Sequence, residues 1–92
     1  MKNAPIILTS DPLDEADFDV SPRAMERALR ARLVRRTRIG LGLSQAAFAQ
    51  RFHVPVGTLR DWEQARATPP DFAMAYMRVI ARHPELVAEA TA

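Results

Sequence analysis

The chain has 92 residues, 48% of them hydrophobic, which is enough for one small domain with a modest core. It contains no cysteine, which excludes disulfides and thiolate metal sites, and no apolar run approaches the ~18–20 residues of a membrane span, so we expect a soluble cytoplasmic protein. The net charge is +2, but it is unevenly distributed: residues 1–20 carry one Lys and five acids, whereas residues 21–92 carry twelve Arg and six acids. Two interpretations of the basic residues 21–92 are open, a polyanionic partner and a solvated Arg-rich surface.

Residues 1–20 are predicted to form an extended, flexible acidic arm. The segment contains Pro5, Pro12 and five acids but few large apolar side chains, and such a composition does not support a packed core. Its exceptions are the apolar patch at residues 6–8 and Phe18, which could become ordered on a partner.

Ser21 and Pro22 predict the start of the first helix, because Ser is a favoured N-cap and Pro suits the first helical position. The helix is expected to run to about Ile39 and to stop at Gly40 and Gly42. One stripe of this helix carries Met25, Leu29, Leu33 and Arg36. The arginines of the helix go round it and cannot all face one partner, so we expect most of them to be solvated.

Ser44 is a second N-cap and predicts a short helix through about Phe52, which residues 53–55 interrupt. A third short helix is expected from about Val56 to Gln64. The residues expected to face inward are Ala46, Phe48, Ala49 and Phe52 in the earlier helix and Thr58, Leu59 and Trp62 in the later one. Two short helices joined by a tight turn are the arrangement that places the second helix in the major groove of DNA.

A fourth helix is predicted from about Pro70 to Arg82, and Pro84 can start a short last helix. The apolar stripe of the fourth helix comprises Ala73, Tyr76, Met77 and Ile80. The sequence shows no strand-type alternation. It therefore predicts an all-α domain of four or five helices over residues 21–92, preceded by the arm.

Three pieces of the sequence together resemble the phage-repressor-like (Xre-type) helix-turn-helix family. They are the string RIGLGLSQ from Arg38 to Gln45, the Phe52-His53-Val54 turn and the Trp62-Glu63 pair. The resemblance spans about residues 25–80 and implies a compact lambda-repressor-like domain that binds a palindromic operator in double-stranded DNA as a homodimer. It also implies a structural ion pair between Arg38 and Glu63, and a phosphate contact by Gln45 that braces the reading helix.

The sequence departs from the pattern of that family around the turn. His53 stands where Gly is usual, so a residue less suited to positive φ must take the bend. Pro55 replaces the usual Ser or Thr cap. Val56 and Gly57 replace polar residues that read base edges, and they offer only apolar contact or close approach.

Arg60 is therefore the best candidate to read a base, by two hydrogen bonds to guanine O6 and N7, with a phosphate contact as the alternative. Asp61 either accepts from a cytosine amino group or orients Arg60. Arg66 follows the reading helix where a basic residue commonly reaches phosphate. The expected DNA-binding residues are Gln45, Val56, Gly57, Thr58, Arg60, Asp61, Gln64 and Arg66.

The last two helices carry more apolar residues than one small core can use. The candidates for a homodimer interface among them are Met74, Leu86 and Val87. Residues 75–87 and the acidic residues 11–18 resemble segments of HigA-like type II antitoxins. That resemblance implies a repressor that regulates its own toxin–antitoxin operon and neutralises a small basic ribonuclease toxin. The residues expected to bind the toxin are Ile7, Leu8, Asp14, Glu15 and Phe18.

Three other functions compete with this interpretation. A stand-alone transcriptional regulator without a toxin partner would share the helix-turn-helix, whereas a protein-binding module would leave Gln45, Arg60 and Arg66 idle on DNA. An enzyme is disfavoured because His53 and His83 lie far apart without a catalytic partner, and the sequence has no Gly-rich phosphate loop. No metal and no cofactor are expected.

Overall fold

The computed structural model describes residues 21–92 and contains five α-helices and no β-strand in that range, which confirms the predicted all-α class. The helices are, in chain order, α1 (Pro22–Gly40), α2 (Gln45–Phe52), α3 (Val56–Glu63), α4 (Asp71–Arg82) and α5 (Pro84–Ala90). The predicted arm, with the toxin-binding candidates named above, lies outside the described residues. No helix within residues 21–92 has the length and hydropathy of a membrane span.

The predicted caps define where the first two helices begin. The Ser21 hydroxyl accepts a 3.1 Å hydrogen bond from the backbone N–H of Ala24, and the Ser44 hydroxyl accepts a 3.0 Å bond from that of Ala47. Each bond satisfies one of the backbone donors that a helix start leaves without an internal partner. Between these helices the chain reverses at Gly42, whose φ of 72° suits a residue without Cβ.

The core lies where α1 packs on α3 and α4, α2 packs on α3 and α5, and α5 packs on α4. Its members are mainly apolar side chains from all five helices and the turn after α2, and they include Val34, Phe48, Phe52, Val54, Leu59, Met77, Ile80 and Val87. Phe48 and Phe52 contact each other with ring centroids 4.8 Å apart. The predicted inner stripe of α4 is confirmed, since Ala73, Met77 and Ile80 are buried and Tyr76 is half-buried.

One inward assignment differs from the structure, and the stripe named on α1 is not the side that faces the core. Ala46 was expected to face the core but is exposed, because α2 turns the side that carries Phe48 and Phe52 inward. The buried residues of α1 are Ala24, Ala31 and Val34, whereas its larger apolar residues Met25, Leu29 and Leu33 are 63%, 52% and 40% exposed. Two alanines on the inner side let the backbone of α1 approach its neighbours closely, which a stripe of longer side chains would prevent.

The residues of α4 and α5 that were expected at a dimer interface differ in burial. Met74 and Val87 are 6% and 7% exposed and belong to the core of the single chain, so little of either side chain is left to contact a second copy. Leu86 is 60% exposed. One core thus uses more of the apolar residues of these helices than the sequence suggested.

Candidate nucleic-acid interface

Helices α2 and α3 form two eight-residue segments joined by a three-residue turn. His53 ends α2 in the left-handed conformation, with φ 60° and ψ 40°, which is the bend expected at this position. Val54 is buried, and its backbone N–H donates to the carbonyl of Ala49 over 3.0 Å. Pro55 then precedes α3 without a side-chain cap. The turn therefore fixes the angle between the helices by backbone geometry and one buried valine.

Tyr76 of α4 holds the carboxyl end of α2. Its hydroxyl donates a 2.8 Å hydrogen bond to the backbone carbonyl of Phe52, one of the acceptors that a helix end leaves without an internal partner. Burial of the phenol raises the pKa of Tyr76 above its ordinary value of 10.0. Sequence reasoning assigned Tyr76 only to the apolar stripe. A tyrosine hydroxyl in such a stripe needs a partner, and that requirement was the available signal.

A charged group at the carboxyl end of α3 ties this helix to α1. Arg38 donates from Nε to Oε2 of Glu63 over 2.7 Å and from Nη2 to Oε1 over 3.0 Å, so the guanidinium binds the carboxylate with two parallel bonds. The Glu63 side chain is 3% exposed and that of Arg38 15%. The bonds to Glu63 raise the pKa of Arg38. The ion pair joins residues that are 25 positions apart in the chain.

Two further bonds complete this group. Gln45, the first residue of α2, donates from Nε2 to Oε1 of Glu63 over 3.1 Å. Arg38 also donates from Nη1 to the carbonyl of Leu43 over 2.9 Å, in the connection between α1 and α2. One buried carboxylate therefore fixes the relative positions of α1, α2 and α3. We call Arg38, Gln45 and Glu63 the polar anchor.

Arg35 extends the anchor to the backbone of α3. Its Nη1 donates to the carbonyl oxygen of Glu63 over 3.0 Å, and a cation at a helix carboxyl end also interacts favourably with the helix dipole. Sequence reasoning left Arg35 among the solvated arginines. Its spacing of three residues before Arg38 places both side chains on one side of α1, and that spacing was the signal.

The opposite side of α3 is exposed. Gly57, Arg60 and Gln64 are exposed at spacings of three and four residues, which places them on one side of the helix. Val56, Thr58 and Asp61 are half-buried, and Val56 packs against the core. Three of the expected DNA-binding residues of α3 and its C-cap therefore form an exposed stripe.

Arg66 and Asp61 lie at the end of this surface. Arg66 Nη1 is 3.9 Å from Asp61 Oδ1, and the two side chains are 71% and 49% exposed, so their attraction is weak. The backbone N–H of Arg66 donates to the carbonyl of Asp61 over 2.8 Å, around Ala65 with φ 58°. The cation of Arg66 is therefore carried on a tight turn that points it to solvent beside α3.

The remaining titratable residues give no sign of another kind of site within the described range. His53 and His83 are exposed and stand at helix ends. No three His, Asp or Glu side chains among residues 21–92 are grouped as metal ligands.

The comparisons with known proteins give one partial similarity. The chain is 37% identical over 43 residues to Antitoxin HigA-2 of Vibrio cholerae serotype O1 (strain ATCC 39315 / El Tor Inaba N16961). The aligned segment covers 47% of this chain and 41% of that protein, so the chain spans about two fifths of the length of this curated relative. No family model matches the chain, and no solved structure matches it.

Proposed function

We propose that this protein is a DNA-binding transcriptional repressor that inserts α3 into the major groove of its operator. The observation that carries the proposal is the contrast between the two sides of α3. The inner side is fixed by Leu59 and by the polar anchor, whereas the outer side presents an arginine with no structural partner among residues 21–92. A helix that reads DNA needs both a rigid attachment and an open face.

The exposed residues of α3 would make different contacts with the DNA, according to their chemistry. Arg60, in the middle of the stripe, would bind guanine O6 and N7, and Gln64 would reach the neighbouring backbone or base edge. Gly57 would let the start of α3 approach the DNA closely, because it has no side chain and, apart from its chain neighbours and the backbone of its own helix, no described atom lies within 4 Å of where a Cβ would be. Val56, Thr58 and Asp61 are half-buried and would contribute fewer contacts.

Backbone contacts would come from both ends of the unit. Gln45 uses one hydrogen of its amide for Glu63, and the second hydrogen remains suitable for a phosphate oxygen at the start of α2. Arg66 would reach a phosphate beyond α3, breaking only the weak contact with Asp61. These contacts position α3, and the base contacts supply the sequence preference.

The test is the affinity of the full chain for duplex DNA from upstream of its own gene, measured by fluorescence anisotropy. Replacement Arg60→Ala is expected to weaken binding by roughly ten- to hundred-fold, the usual effect of losing a guanine contact. Arg82→Ala is the matched control, because Arg82 is also an exposed helical arginine but lies on α4. Equal affinities for the two variants would contradict the assignment of α3 as the reading helix.

Salt provides a second measurement on the same DNA. Affinity should fall steeply with added salt, because each phosphate contact releases condensed counterions. Arg66→Ala should weaken binding to all sequences alike and reduce the slope of log affinity against log salt by about one. An unchanged slope in Arg66→Ala would remove this residue from the backbone contacts.

We further propose that the protein is the antitoxin of a toxin–antitoxin pair and represses its own operon. The partial similarity to a protein named an antitoxin supports this, as does the composition of residues 1–20, with five acids against one Lys. An acidic segment suits a small basic ribonuclease, whose RNA-binding surface is positively charged. Ile7, Leu8 and Phe18 would supply apolar contacts, with Asp14 and Glu15 beside them.

Co-expression with the adjacent reading frame tests this second proposal. The tagged full chain should capture the neighbouring gene product, and a variant lacking residues 1–20 should lose that capture while it keeps its DNA affinity. Phe18→Ala and Asp14→Asn separate the apolar from the charged contributions. If the full chain captures no neighbouring product, and the deletion changes neither DNA affinity nor cell viability, the protein is the stand-alone regulator that is the alternative function.

A further inference from the structure

Helix α1 carries an apolar strip on the side that faces away from the core. Met25, Leu29 and Leu33 are 63%, 52% and 40% exposed, and their four-residue spacing places them in one row. The buried residues of the helix lie on its other side, and they are Ala24, Ala31 and Val34. The larger apolar side chains of α1 therefore remain about half open within residues 21–92. We call Met25, Leu29 and Leu33 the apolar strip.

Arginines lie on both sides of the apolar strip. Arg32 is exposed on one flank, and the exposed Arg36 follows Leu33 by three residues at the end of the row. On the other side, a cleft between α1 and α4 is lined by Leu29, Leu33 and the exposed Arg78. None of these arginines has an ion-pair partner among residues 21–92. We call Arg32, Arg36 and Arg78 the arginine rim.

The acidic residues near the strip already have a partner. Arg30 donates from Nε to Oε2 of Glu26 over 2.6 Å and from Nη2 to Oδ1 of Asp71 over 2.8 Å. Its Nη1 donates to the carbonyl of Pro69 over 2.8 Å. Both carboxylates thus pair with Arg30, and the positive charge of the arginine rim stays uncompensated in this part of the chain.

This combination of an apolar row and positive charge fits an acidic partner that also carries an apolar side chain. A second copy of the same surface would bring two arginine rims together, and a basic protein would be repelled in the same way. DNA has the opposite charge, but its phosphate backbone offers nothing apolar to cover the strip. The surface therefore favours an acidic polypeptide segment.

Residues 13–20 of the chain itself have the composition of such a partner. Their four acids are Asp14, Glu15, Asp17 and Asp19, and the segment contains no basic residue. Phe18 stands between two of these acids. One short segment thus offers an aromatic ring to the apolar strip and carboxylates to the arginines beside it.

The segment is also attached at the right point and is long enough. It ends immediately before Ser21, the N-cap of α1, and Pro22 begins the row that continues at Met25. From Met25 to Arg36 the helix rises about 16 Å, whereas residues 13–20 can extend over about 23 Å. A chain that reverses at Ser21 can therefore follow the whole strip. A tether this short gives an effective concentration in the millimolar range, so a weak contact is sufficient.

We propose that residues 13–20 dock on the apolar strip and the arginine rim of the same chain. Phe18 covers the start of the strip near Met25, and Glu15 comes level with Arg32 at the spacings just given. This contact does not rest on the proposed function, but one consequence does. Phe18 and Glu15 are also proposed toxin contacts, so α1 would compete with the toxin for them, and the toxin would have to release the segment before it binds.

Cleavage by chymotrypsin after Phe18 measures this docking in the full chain, without DNA or toxin. A docked segment is cut only while it is released, so the cleavage rate follows the released fraction. Arg32→Glu should raise the rate about five-fold, because it replaces an attraction for the acidic segment by a repulsion. Arg51→Glu is the matched control, since Arg51 is an exposed arginine of α2, and should leave the rate unchanged. Equal rates in the two variants would overturn the proposal.

A charge exchange tests the pairing within the same assay. Glu15→Arg alone should also raise the cleavage rate, because it places a cation against the arginine rim. The double variant E15R/R32E should return the rate to about that of the native chain. A double variant that is cut as fast as Arg32→Glu would contradict docking on the arginine rim.

An apolar variant tests the strip independently of the arginines. Leu29→Asp should raise the cleavage rate about ten-fold, since it puts a carboxylate in the strip that the acidic segment covers. Leu86→Asp is the matched control, with a similarly exposed leucine on α5, and should be cut like the native chain. Circular dichroism checks that both variants fold. A rate that Leu29→Asp leaves unchanged would show that nothing docks on the strip.

The dependence on protein concentration identifies which copy supplies the segment. Docking within one chain gives a cleavage rate constant that does not change with concentration. Slower cleavage at higher concentration would show that another copy covers the strip, and it would overturn docking within the same chain. These measurements contain neither operator nor toxin, so failure of this contact is distinguished from failure of the proposed DNA binding or toxin binding.

Discussion

The two ends of α3 are held by different means. At the carboxyl end the buried carboxylate of Glu63 accepts from Arg38 and Gln45, and its backbone carbonyl accepts from Arg35. At the amino end Pro55 offers no side-chain cap, and the helix opens with a half-buried Val56 and an exposed Gly57. Charged hydrogen bonds fix one end, while a backbone turn and apolar packing fix the other.

The difference indicates where the proposed reading helix is rigid and where it can adapt. Charge-assisted bonds in a buried place are strong and directional, so they define the orientation of α3 relative to α1 and α2. The amino end of a reading helix approaches the base edges in helix-turn-helix complexes. An amino end with a glycine and few polar bonds can adjust its position against DNA at a small cost in free energy.

Removal of the carboxylate at the anchored end should have the largest effect. Glu63→Ala leaves the Arg38 guanidinium without its partner in a poorly hydrated place, and such changes cost about 3–5 kcal/mol of the free energy of unfolding. Urea denaturation followed by circular dichroism measures this cost. Glu89→Ala is the control at an exposed acid of α5. A loss below about 1 kcal/mol would show that the polar anchor does not hold α3.

The anchor also shows what the sequence could and could not determine. Caps at Ser21 and Ser44 and the spacing of α4 predicted helix ends and core residues, because both depend on local backbone chemistry. The buried side of α1 was not predictable from periodicity, since the helix has one apolar row on each side. The contact of Arg35 with α3 fixes which of the two rows faces the core. Contacts to DNA and to a second copy depend on partners, which the sequence of one chain specifies only by charge and shape.

A smaller loss of the free energy of unfolding is expected from Tyr76→Phe. This substitution removes the hydrogen bond to the carbonyl of Phe52, just before the turn that leads to the amino end of α3. The cost should be about 1 kcal/mol at neutral pH, since the buried acceptor loses its donor. The raised pKa of Tyr76 means that the folded chain holds this proton more tightly than the unfolded chain. Stability should therefore fall as pH rises above 10.0 and towards the folded pKa, and Tyr76→Phe should abolish that fall.

Tyr76 is the only tyrosine of the chain, so the absorbance of tyrosinate reports its titration without interference. The midpoint should lie above 10.0 in the folded chain, and at the ordinary value in denaturant. A folded midpoint at the ordinary value would contradict the burial of this hydroxyl.

A substitution in the turn between α2 and α3 should raise the stability of the fold by a modest amount. His53 has φ 60°, which glycine adopts without the strain that a Cβ causes, so His53→Gly should raise the free energy of unfolding by about 0.5–1 kcal/mol. His53→Ala is the matched control, because it removes the imidazole but keeps the Cβ. Equal stabilities for the two variants would show that the backbone conformation is not what limits the turn.

The smallest change in stability is expected from Gly57→Ala, and it gives the sharpest view of the amino end of α3. Gly57 has helical backbone without positive φ, and an added Cβ would meet no described atom within 4 Å apart from its chain neighbours and the backbone of its own helix. Alanine should therefore stabilise the fold, by about 0.5 kcal/mol at this first turn of the helix. If Gly57 serves close approach to DNA, the same substitution should weaken operator affinity while the chain becomes more stable. Thermal denaturation and fluorescence anisotropy on one preparation measure both quantities, and a variant that gains stability with unchanged affinity would place the base contacts further along α3, at Arg60 and Gln64.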